Sequence, residues 1–578
     1  MNNFNIYSRR TFLSRSAKIG MAAALSTLVD VPFVMKRALA EGSIGLNGKK
    51  VLFIWLRFGN DGLNNIVPIE DSAYATIRNS TRINKEAGVT YSDSGPIFDP
   101  TLYLNKDTAR GTNDNVFAYI NAIKTGNGFA ALHPALKFLS PVYHAGDLAL
   151  IHRVAYPKQS RSHFDSQNYW ENGNPNVNLS KDGIFYRTII ESGLANTAPL
   201  TGVTVQSALP LIMRGSAAAM TNLTNPTRYD LLGIPTTTGD NKAFNAIAGA
   251  NYHPFSKKLS REMLDMQYEN MTNTLRVFGN LDFNETGNVF RDNTKTDGDT
   301  AWYPGAGNDS DGYYLFPTTD AKNGGGLRPG GTTNANKRVV PTSAYNSGGT
   351  GFMNNLKSAA MILNKTDAII AGTELGGFDT HTGQGGATGS HANLLQQVGW
   401  AMYALQKYFT RYADKATWDN TIVITFSEFG RTSVENNDAG TDHAEAGVMY
   451  VAGGAVKGYG STNGNGVFGC SPSEIVAPWK PGPRTTSGAT CGTMFAAGFA
   501  EGAGTVNPVT AGYLRRSVDY RSVLGEVIRK HLGATQNQLN RIIPGYATEG
   551  ILGKDEMLRL GGVSSIDNVA IRGELGLL

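Results

Sequence analysis

Acidic and histidine side chains follow three apolar stretches of the chain, close to the point where each stretch ends. They are Asp61 after residues 50–58, Asp379 and His381 after residues 368–374, Glu428 after residues 421–426, and the adjacent pair Asp442 and His443 in the next polar loop. Carboxylate and imidazole groups together bind divalent metal ions and transfer protons. Each group alone has an ordinary explanation, since Asn-Asp-Gly at 60–62 is also turn chemistry and an Asp-His pair can stand in any surface loop. Several in succession predict a shared site.

The apolar stretches themselves predict buried strands of a mostly parallel sheet. Residues 421–426 are β-formers that are apolar on both faces, which is typical of a central strand. Further strands are predicted at 50–58, 147–154, 200–206, 368–374 and 448–454, and helices at 132–146, 257–277, 351–363, 391–412 and 520–532. The expected fold class is α/β. In such sheets ligands bind at the carboxyl edge of the strands, so we expect the acidic and histidine groups to converge there.

Ser162 suggests a second kind of chemistry. It follows the predicted strand at 147–154 and precedes a segment with helical character. A serine at this position can cap the helix, or it can act as a nucleophile because the helix N-terminus stabilises an attacked anion. Both roles remain open. Arg161 or Arg431 would steady the anion if Ser162 attacks.

The N-terminus has the pattern of an export signal. Residues 8–13 read Ser-Arg-Arg-Thr-Phe-Leu, a modest apolar run follows to residue 34, and Ala-Leu-Ala at 38–40 fits a cleavage site. This pattern predicts a twin-arginine signal peptide at 1–40, with a buried N-terminal helix as the alternative. The expected partner during export is the twin-arginine translocase. The expected location is the periplasm or the extracellular space.

Charge and hydropathy exclude two classes of protein. Removing residues 1–40 takes away six basic side chains and one acidic one, which leaves 46 of each. The mature chain thus has no net positive charge that would indicate nucleic-acid binding, and no nucleic-acid partner is expected. Beyond the leader there is no uninterrupted apolar run of about 18 residues, so no stable membrane span is expected.

The remainder, 41–578, is predicted to be one domain with two Gly-rich segments. An insertion rich in Gly and Asn is expected at about 284–350, and a Gly-rich segment at about 457–512. The second segment contains both cysteines, Cys470 and Cys491. In an oxidising compartment they can form a disulfide that closes a loop of about twenty residues.

Five segments, in order behind the leader, resemble a bacterial family called domain of unknown function 1501. They are GNDGLNN, SRSHFDSQ, GGFDTH, SEFGRT and TDHAEAG. The resemblance covers roughly residues 45–460 and is weakest across 285–350. The family is placed in the alkaline phosphatase and sulfatase superfamily. The resemblance therefore implies a three-layer α/β/α sandwich and a two-metal hydrolase site.

By position, the resemblance implies metal-binding roles for Asp61, Asp379, His381, Glu428 and His443, and Ser162 falls near the nucleophile. Asp442 is added to the expected metal ligands because it precedes His443. The chain departs from the superfamily at Phe429, which stands where a metal-binding histidine is needed, and in the short Asp379-to-His381 spacing. The site is accordingly expected to hold one ion, two in altered form, or none, with zinc, manganese and calcium as the possible metals.

The expected function is an exported metal-dependent hydrolase of phosphate or sulfate esters, with a small-molecule or polysaccharide substrate. The alternative is a binding or extracellular matrix protein that keeps the scaffold and has lost catalysis. The Gly/Asn-rich insertions and Phe429 are compatible with this alternative.

Overall fold

The computed structural model describes residues 44–224, 349–546 and 573–578, together with short pieces between 277 and 316. The gaps within these ranges are 46, 72–73, 94–118, 157–158, 178–179, 195–200, 217, 219, 462–463, 471–494, 497–512 and 515–516, and the short pieces are 277, 281, 283, 291–292 and 313–316. The predicted leader, all but the last residue of the predicted helix at 257–277, most of the insertion at 284–350 and Cys491 lie outside the described residues. Cys470 is buried, and its disulfide with Cys491 stays a prediction.

Nine strands of the described residues form one central sheet. They are β1 (Lys50–Leu56), β2 (Leu148–Ala155), β3 (Gly202–Val205), β4 (Thr221–Leu223), β5 (Ile370–Leu375), β6 (Thr421–Phe426), β7 (Gly447–Ala452), β8 (Val467–Phe468) and β9 (Val518–Asp519). The order is β8-β2-β7-β6-β1-β5-β3-β4, with β9 also beside β2. Only the two pairings made by β7 are antiparallel. The predicted α/β class with a mostly parallel sheet is confirmed, and the predicted strands agree with the observed ones to within two residues at each end.

Nine α-helices accompany the sheet in the described part of the chain. They are α1 (Gly62–Asn65), α2 (Tyr74–Ile77), α3 (Leu139–His144), α4 (His163–Asn172), α5 (Ile184–Glu191), α6 (Gly349–Lys365), α7 (Ser390–Arg411), α8 (Tyr520–Glu526) and α9 (Gln536–Ile542). Short 3-10 turns lie at Pro134–Leu136, Leu211–Met213, Trp418–Asn420 and Gly464–Gly466, and a π-helical turn at Val527–His531 continues α8. No helix among the described residues has the length and apolar character that a membrane span requires.

The remaining strands are short. Ile66–Val67, Ile123–Lys124 and Ala131–Leu132 form a small antiparallel sheet, Arg291–Asp292 pairs with Tyr313–Tyr314, and Phe495–Ala496 pairs with Tyr513–Leu514. The first of these sheets corrects the predicted helix at 132–146. Leu132 pairs with Ile66 and Ile123 as a strand residue, so the regular helix is confined to α3. Pairing with distant strands outweighs the local helical pattern here.

The two faces of β1 pack against different helices. Leu52, Ile54 and Leu56 share one apolar core with residues of α3, α6 and α7. Val51, Phe53 and Trp55 share a second core with residues of α4, α5, α8 and α9. Because side chains alternate along a strand, a strand that is apolar at every position buries both faces. The central sheet therefore has helices on each side.

Gly372 in β5 leaves the space that the Phe53 ring occupies. A Cβ on Gly372 would lie 2.1 Å from a ring atom of Phe53, and that ring is held between Phe185 and Phe426. We expect Gly372→Ala to lower the free energy of unfolding by about 1–3 kcal/mol through overpacking. Gly351→Ala in α6 is the control, since nothing lies within 4 Å of its Cβ position. Chemical denaturation should show Gly351→Ala to be neutral or stabilising, and equal stability of the two variants would contradict the overpacking.

The carboxyl ends of β1, β5 and β6 lie at the same edge of the sheet. The register pairs Leu56 with Leu375 and Trp55 with Phe426. The segments that follow these strands therefore begin side by side. They contain the Asp, His and Glu residues that the sequence singled out.

Two further segments reach this edge because β7 runs in the opposite direction to β6. The loop 427–446 leaves β6 and returns into β7 at the same edge. Gly447 at the start of β7 pairs with Val154 near the end of β2. The segment after β2 thus joins the others, and the predicted convergence of the strand ends is confirmed.

Candidate metal centre

Four side chains from three of these segments lie against one another at the sheet edge, and we call them the four-residue cluster: His163, Asp379, His381 and His443. Asp379 Oδ1 is 3.0 Å from His381 Nε2 and 3.1 Å from His443 Nε2. The two Nε2 atoms are 3.0 Å apart. His163 Nε2 is 3.6 Å from Asp379 Oδ2, and its ring centroid is 4.4 Å from that of His443.

The spacing of these atoms fits ligands around one ion. The ligand atoms of His163, Asp379 and His443 all lie within 4.8 Å of one another, and His381 adjoins them through Asp379 and His443. Nitrogen and oxygen ligands bind zinc at about 2.0–2.2 Å, so the ligands of one tetrahedral ion lie roughly 3.3 Å apart. The separations of 3.0 to 3.6 Å given above are close to this value. His163, Asp379 and His443 form the convergent group, and His381 would have to approach His163 for all four to bind one ion.

Each histidine of the cluster is held by its other ring nitrogen. The Nδ1 contacts are His163 to Glu428 Oε1 at 2.8 Å, His381 to Asp442 Oδ1 at 2.9 Å, and His443 to the Arg161 carbonyl oxygen at 3.0 Å. A carboxylate or carbonyl oxygen only accepts hydrogen bonds, so Nδ1 carries the hydrogen in all three rings. In the neutral imidazole, Nε2 is then a lone pair available to a cation.

These tautomers make the cluster suited to a cation. With hydrogens on both Nδ1 atoms, neutral His381 and His443 direct two Nε2 lone pairs at each other and at Asp379. A proton or a metal ion would relieve that repulsion. His163 Nε2 is shielded from solvent and has no hydrogen-bond partner. Metal-binding histidines usually donate their second ring N–H to a carboxylate or carbonyl group, as these three do.

Glu428 and Asp442 lie behind the histidines. Glu428 Oε1 accepts hydrogen bonds from His163 Nδ1 and from the Phe58 backbone N–H, both at 2.8 Å. Glu428 Oε2 lies 3.4 Å from Trp55 Nε1, and the carboxylate is 1% exposed. Both residues were predicted to be metal ligands. The structure places them where they orient His163 and His381.

Arg431 contacts the cluster through Asp379. Its Nη1 donates to Asp379 Oδ1 at 2.7 Å and its Nη2 donates to the Thr441 carbonyl oxygen at 2.6 Å. Burial raises the pKa of Asp379, but the hydrogen bond and the charge of Arg431 outweigh it and lower that pKa to about 2. Burial also lowers the pKa of His443. The cluster thus combines an ionised carboxylate with an imidazole biased towards its neutral form.

The structure does not bring Asp61 together with the other predicted ligands. Asp61 is fully buried, and both of its oxygens are bound by Arg78, at 2.6 and 2.9 Å. Gln384 Nε2 donates to the same carboxylate at 2.6 Å. Burial raises the pKa of Asp61, but the charge and hydrogen bonds of Arg78 outweigh it and lower the pKa to about 2. Asp61 meets the cluster only indirectly, since Gln384 also contacts Thr441, a partner of Arg431.

Ser162 is the N-cap of α4, as one of its two predicted roles requires. Its Oγ accepts a hydrogen bond from the Asp165 N–H at 3.4 Å. Ser162 stands in the chain between Arg161, whose carbonyl oxygen binds His443, and His163 of the cluster. The nucleophilic role of Ser162 and the anion-binding role of Arg161 stay predictions.

His163 is the one residue of the cluster that was not predicted from the sequence. This residue follows the end of β2 as His381 follows the end of β5, so the rule that selected the other groups applied to it as well. The neighbouring Ser162 was chosen instead. Phe429 packs against both His163 and His443, with ring centroids 4.7 Å from each. Position 429 therefore supports two imidazoles of the cluster without offering a ligand itself.

The comparisons with known proteins found one similarity. Residues 343–467 match the model of a family described as protein of unknown function (DUF1501). The match includes the GGFDTH, SEFGRT and TDHAEAG segments, but not GNDGLNN or SRSHFDSQ. The comparisons with curated proteins and with solved structures found no match. Over residues 343–467 the chain is thus similar to the DUF1501 family, which supports the resemblance that its motifs predicted.

Proposed function

We propose that this chain is an exported hydrolase that binds one divalent transition-metal ion and acts on a phosphate or sulfate ester. The ligands would be His163, Asp379, His381 and His443. The observation that carries the proposal is the shared orientation of the three imidazoles. Each donates its Nδ1–H to an acceptor behind it and turns Nε2 towards the carboxylate of Asp379.

The ligand atoms favour a transition metal such as zinc. Three imidazole nitrogens and one carboxylate are typical of zinc and similar ions, whereas calcium takes six to eight oxygens. One ion fits better than two, because Arg78 and Gln384 occupy Asp61 and hydrogen bonds occupy Glu428. Both oxygens of Asp61 are thus taken, and Glu428 is buried with its Oε1 already accepting two hydrogen bonds.

The chain's own residues have separate roles in the proposed reaction. A divalent ion at the cluster would supply Lewis acidity towards an ester oxygen, which would bind it as a fifth ligand beside the four residues. Arg431 holds Asp379 in place and keeps it ionised. Ser162 is the proposed nucleophile, because it directly precedes His163 in the chain and stands at the N-terminus of α4, where free N–H groups favour negative charge. Arg161 is proposed to steady the anion that forms.

The proposal also includes the fold and the export that the resemblance to the superfamily and the N-terminal pattern imply. An alkaline phosphatase-like, three-layer α/β/α sandwich is supported by the helices on both faces of the sheet and by the position of the cluster at the carboxyl edge. The superfamily's missing histidine at position 429 is compensated in this proposal by His163, whose ring packs on Phe429. Export through the twin-arginine pathway rests on residues 8–13 and 38–40.

Metal removal tests the proposal. We expect elemental mass spectrometry to find about one equivalent of zinc, or of a similar ion, in protein recovered after export. Treatment with a chelator should abolish hydrolysis in a screen of phosphate and sulfate monoesters, and adding the ion back should restore it. Protein that takes up no metal even after soaking would rule out the proposed site.

A binding or matrix protein without catalysis is the second candidate. The observation that favours it is the hydrogen bond by which Ser162 Oγ serves as a helix cap. This candidate predicts a stoichiometric metal ion with no turnover of any ester. The same screen distinguishes the two candidates, because a reproducible hydrolytic activity that is lost in Ser162→Ala supports the hydrolase.

A further inference from the structure

Phe58, just beyond β1, has a backbone conformation that is unusual for its residue type. Its φ is 81°, in the left-handed region where a bulky side chain is strained. Its backbone N–H donates to Glu428 Oε1 at 2.8 Å, and Glu428 in turn holds His163. Glycine would supply the same N–H without the strain. What phenylalanine adds at this position is its ring.

The Phe58 ring lies at the cluster and remains open to solvent. Its centroid is 5.5 Å from that of His163, in an edge-to-face arrangement, and the residue is 45% exposed. Gly376 lies on another side of the ring, where a Cβ would be at ordinary contact distance, 3.4 Å. Four large apolar residues of the described chain are exposed. Two of them lie beside His163: Phe58, which contacts its ring, and Phe164, which follows it in the chain.

We propose that the Phe58 ring binds an aromatic group carried by the substrate, so that the preferred substrates are aryl phosphate or aryl sulfate esters. This inference rests on the proposed function. An aromatic ring attached to the ester would cover the exposed face of Phe58 while the ester group lies at the cluster. Pairs of aromatic rings prefer such offset or edge-to-face contacts, and burying the exposed apolar surface adds to the affinity.

Two phosphonates that the protein cannot hydrolyse as esters provide the test. Calorimetric titration of the metal-loaded mature chain should show phenylphosphonate binding about tenfold more tightly than methylphosphonate. Phe58→Gly should reduce this preference to about onefold, and glycine keeps the backbone at position 58 unstrained. Phe58→Tyr should retain the preference. Ile120→Ala is the control and should also retain the preference, because it removes a side chain of similar exposure, 49%, elsewhere in the chain.

The outcomes separate this inference from the proposed function. Equal affinity of the two phosphonates for the wild-type protein would overturn the inference and leave the metal-dependent hydrolase intact. A tenfold preference that survives in Phe58→Gly would also overturn it. If the metal is bound but neither phosphonate binds, the proposed function fails, and the inference fails with it.

Discussion

His163→Ala is expected to abolish metal binding by the folded protein. His163 is the one cluster residue that lies outside the residues matched by the family model, and its Nε2 has no hydrogen-bond partner. Losing a residue that accepts a hydrogen bond from a metal-binding histidine typically weakens metal binding by about 10–100-fold. Loss of a ligand itself should therefore exceed about a hundredfold. Titration against a competing chelator, together with elemental analysis, would measure the change.

Two matched variants make this result specific. His144→Ala removes an exposed histidine that stacks on Tyr459, and it should retain the metal. Glu428→Gln keeps the shape of the residue behind His163 but removes its charge, so we expect the smaller loss of about 10–100-fold. If His163→Ala binds metal as tightly as the wild-type protein does, the cluster is not the metal centre.

Asp61→Ala is expected to lower the free energy of unfolding by about 3–5 kcal/mol, because it leaves a buried charge unpaired. Arg78 is fully buried, and both of its terminal nitrogens donate to Asp61. The remaining Arg78 hydrogen bonds go to neutral groups, the carbonyl oxygens of Thr432 and Ser433 and the Thr81 hydroxyl. Denaturant unfolding monitored by circular dichroism would measure the loss.

The control is a salt bridge at the surface. Asp414 pairs with Lys365 at 3.1 Å, and both side chains are exposed, so Asp414→Ala should cost less than about 1 kcal/mol. The double variant Asp61→Ala with Arg78→Met should be more stable than Asp61→Ala alone, since it removes the unpaired charge. Equal losses in Asp61→Ala and Asp414→Ala would contradict the role of the buried pair.

The stabilisation from Asp61 should also depend on pH. The folded protein holds the pKa of Asp61 at about 2, below its ordinary value of 3.8. A lowered carboxyl pKa stabilises the folded state fully above the unfolded value, and the effect is lost as pH falls from there through the folded value. The stability difference between wild-type protein and Asp61→Ala should therefore shrink as pH falls from 3.8 towards 2.

Local pattern is sufficient to predict the backbone of the site. The strands β1, β5 and β6 follow from apolar runs too continuous for an exposed element, and the Ser162 cap follows from a hydroxyl that precedes a helix. Parallel strands deliver their carboxyl ends to one edge. Asp379, His381 and His443 could therefore be assigned to a common site before any contact was known.

The roles of the individual side chains depend on contacts between residues far apart in the chain. Glu428 orients His163 because its Oε1 accepts hydrogen bonds from the Phe58 N–H and from His163 Nδ1. Arg78 binds both oxygens of Asp61. The antiparallel direction of β7 brings the end of β2 to the cluster. Residue type and spacing show which groups can bind a metal ion. Which groups would lie at such an ion depends on packing, because packing determines which hydrogen-bond acceptors are already occupied.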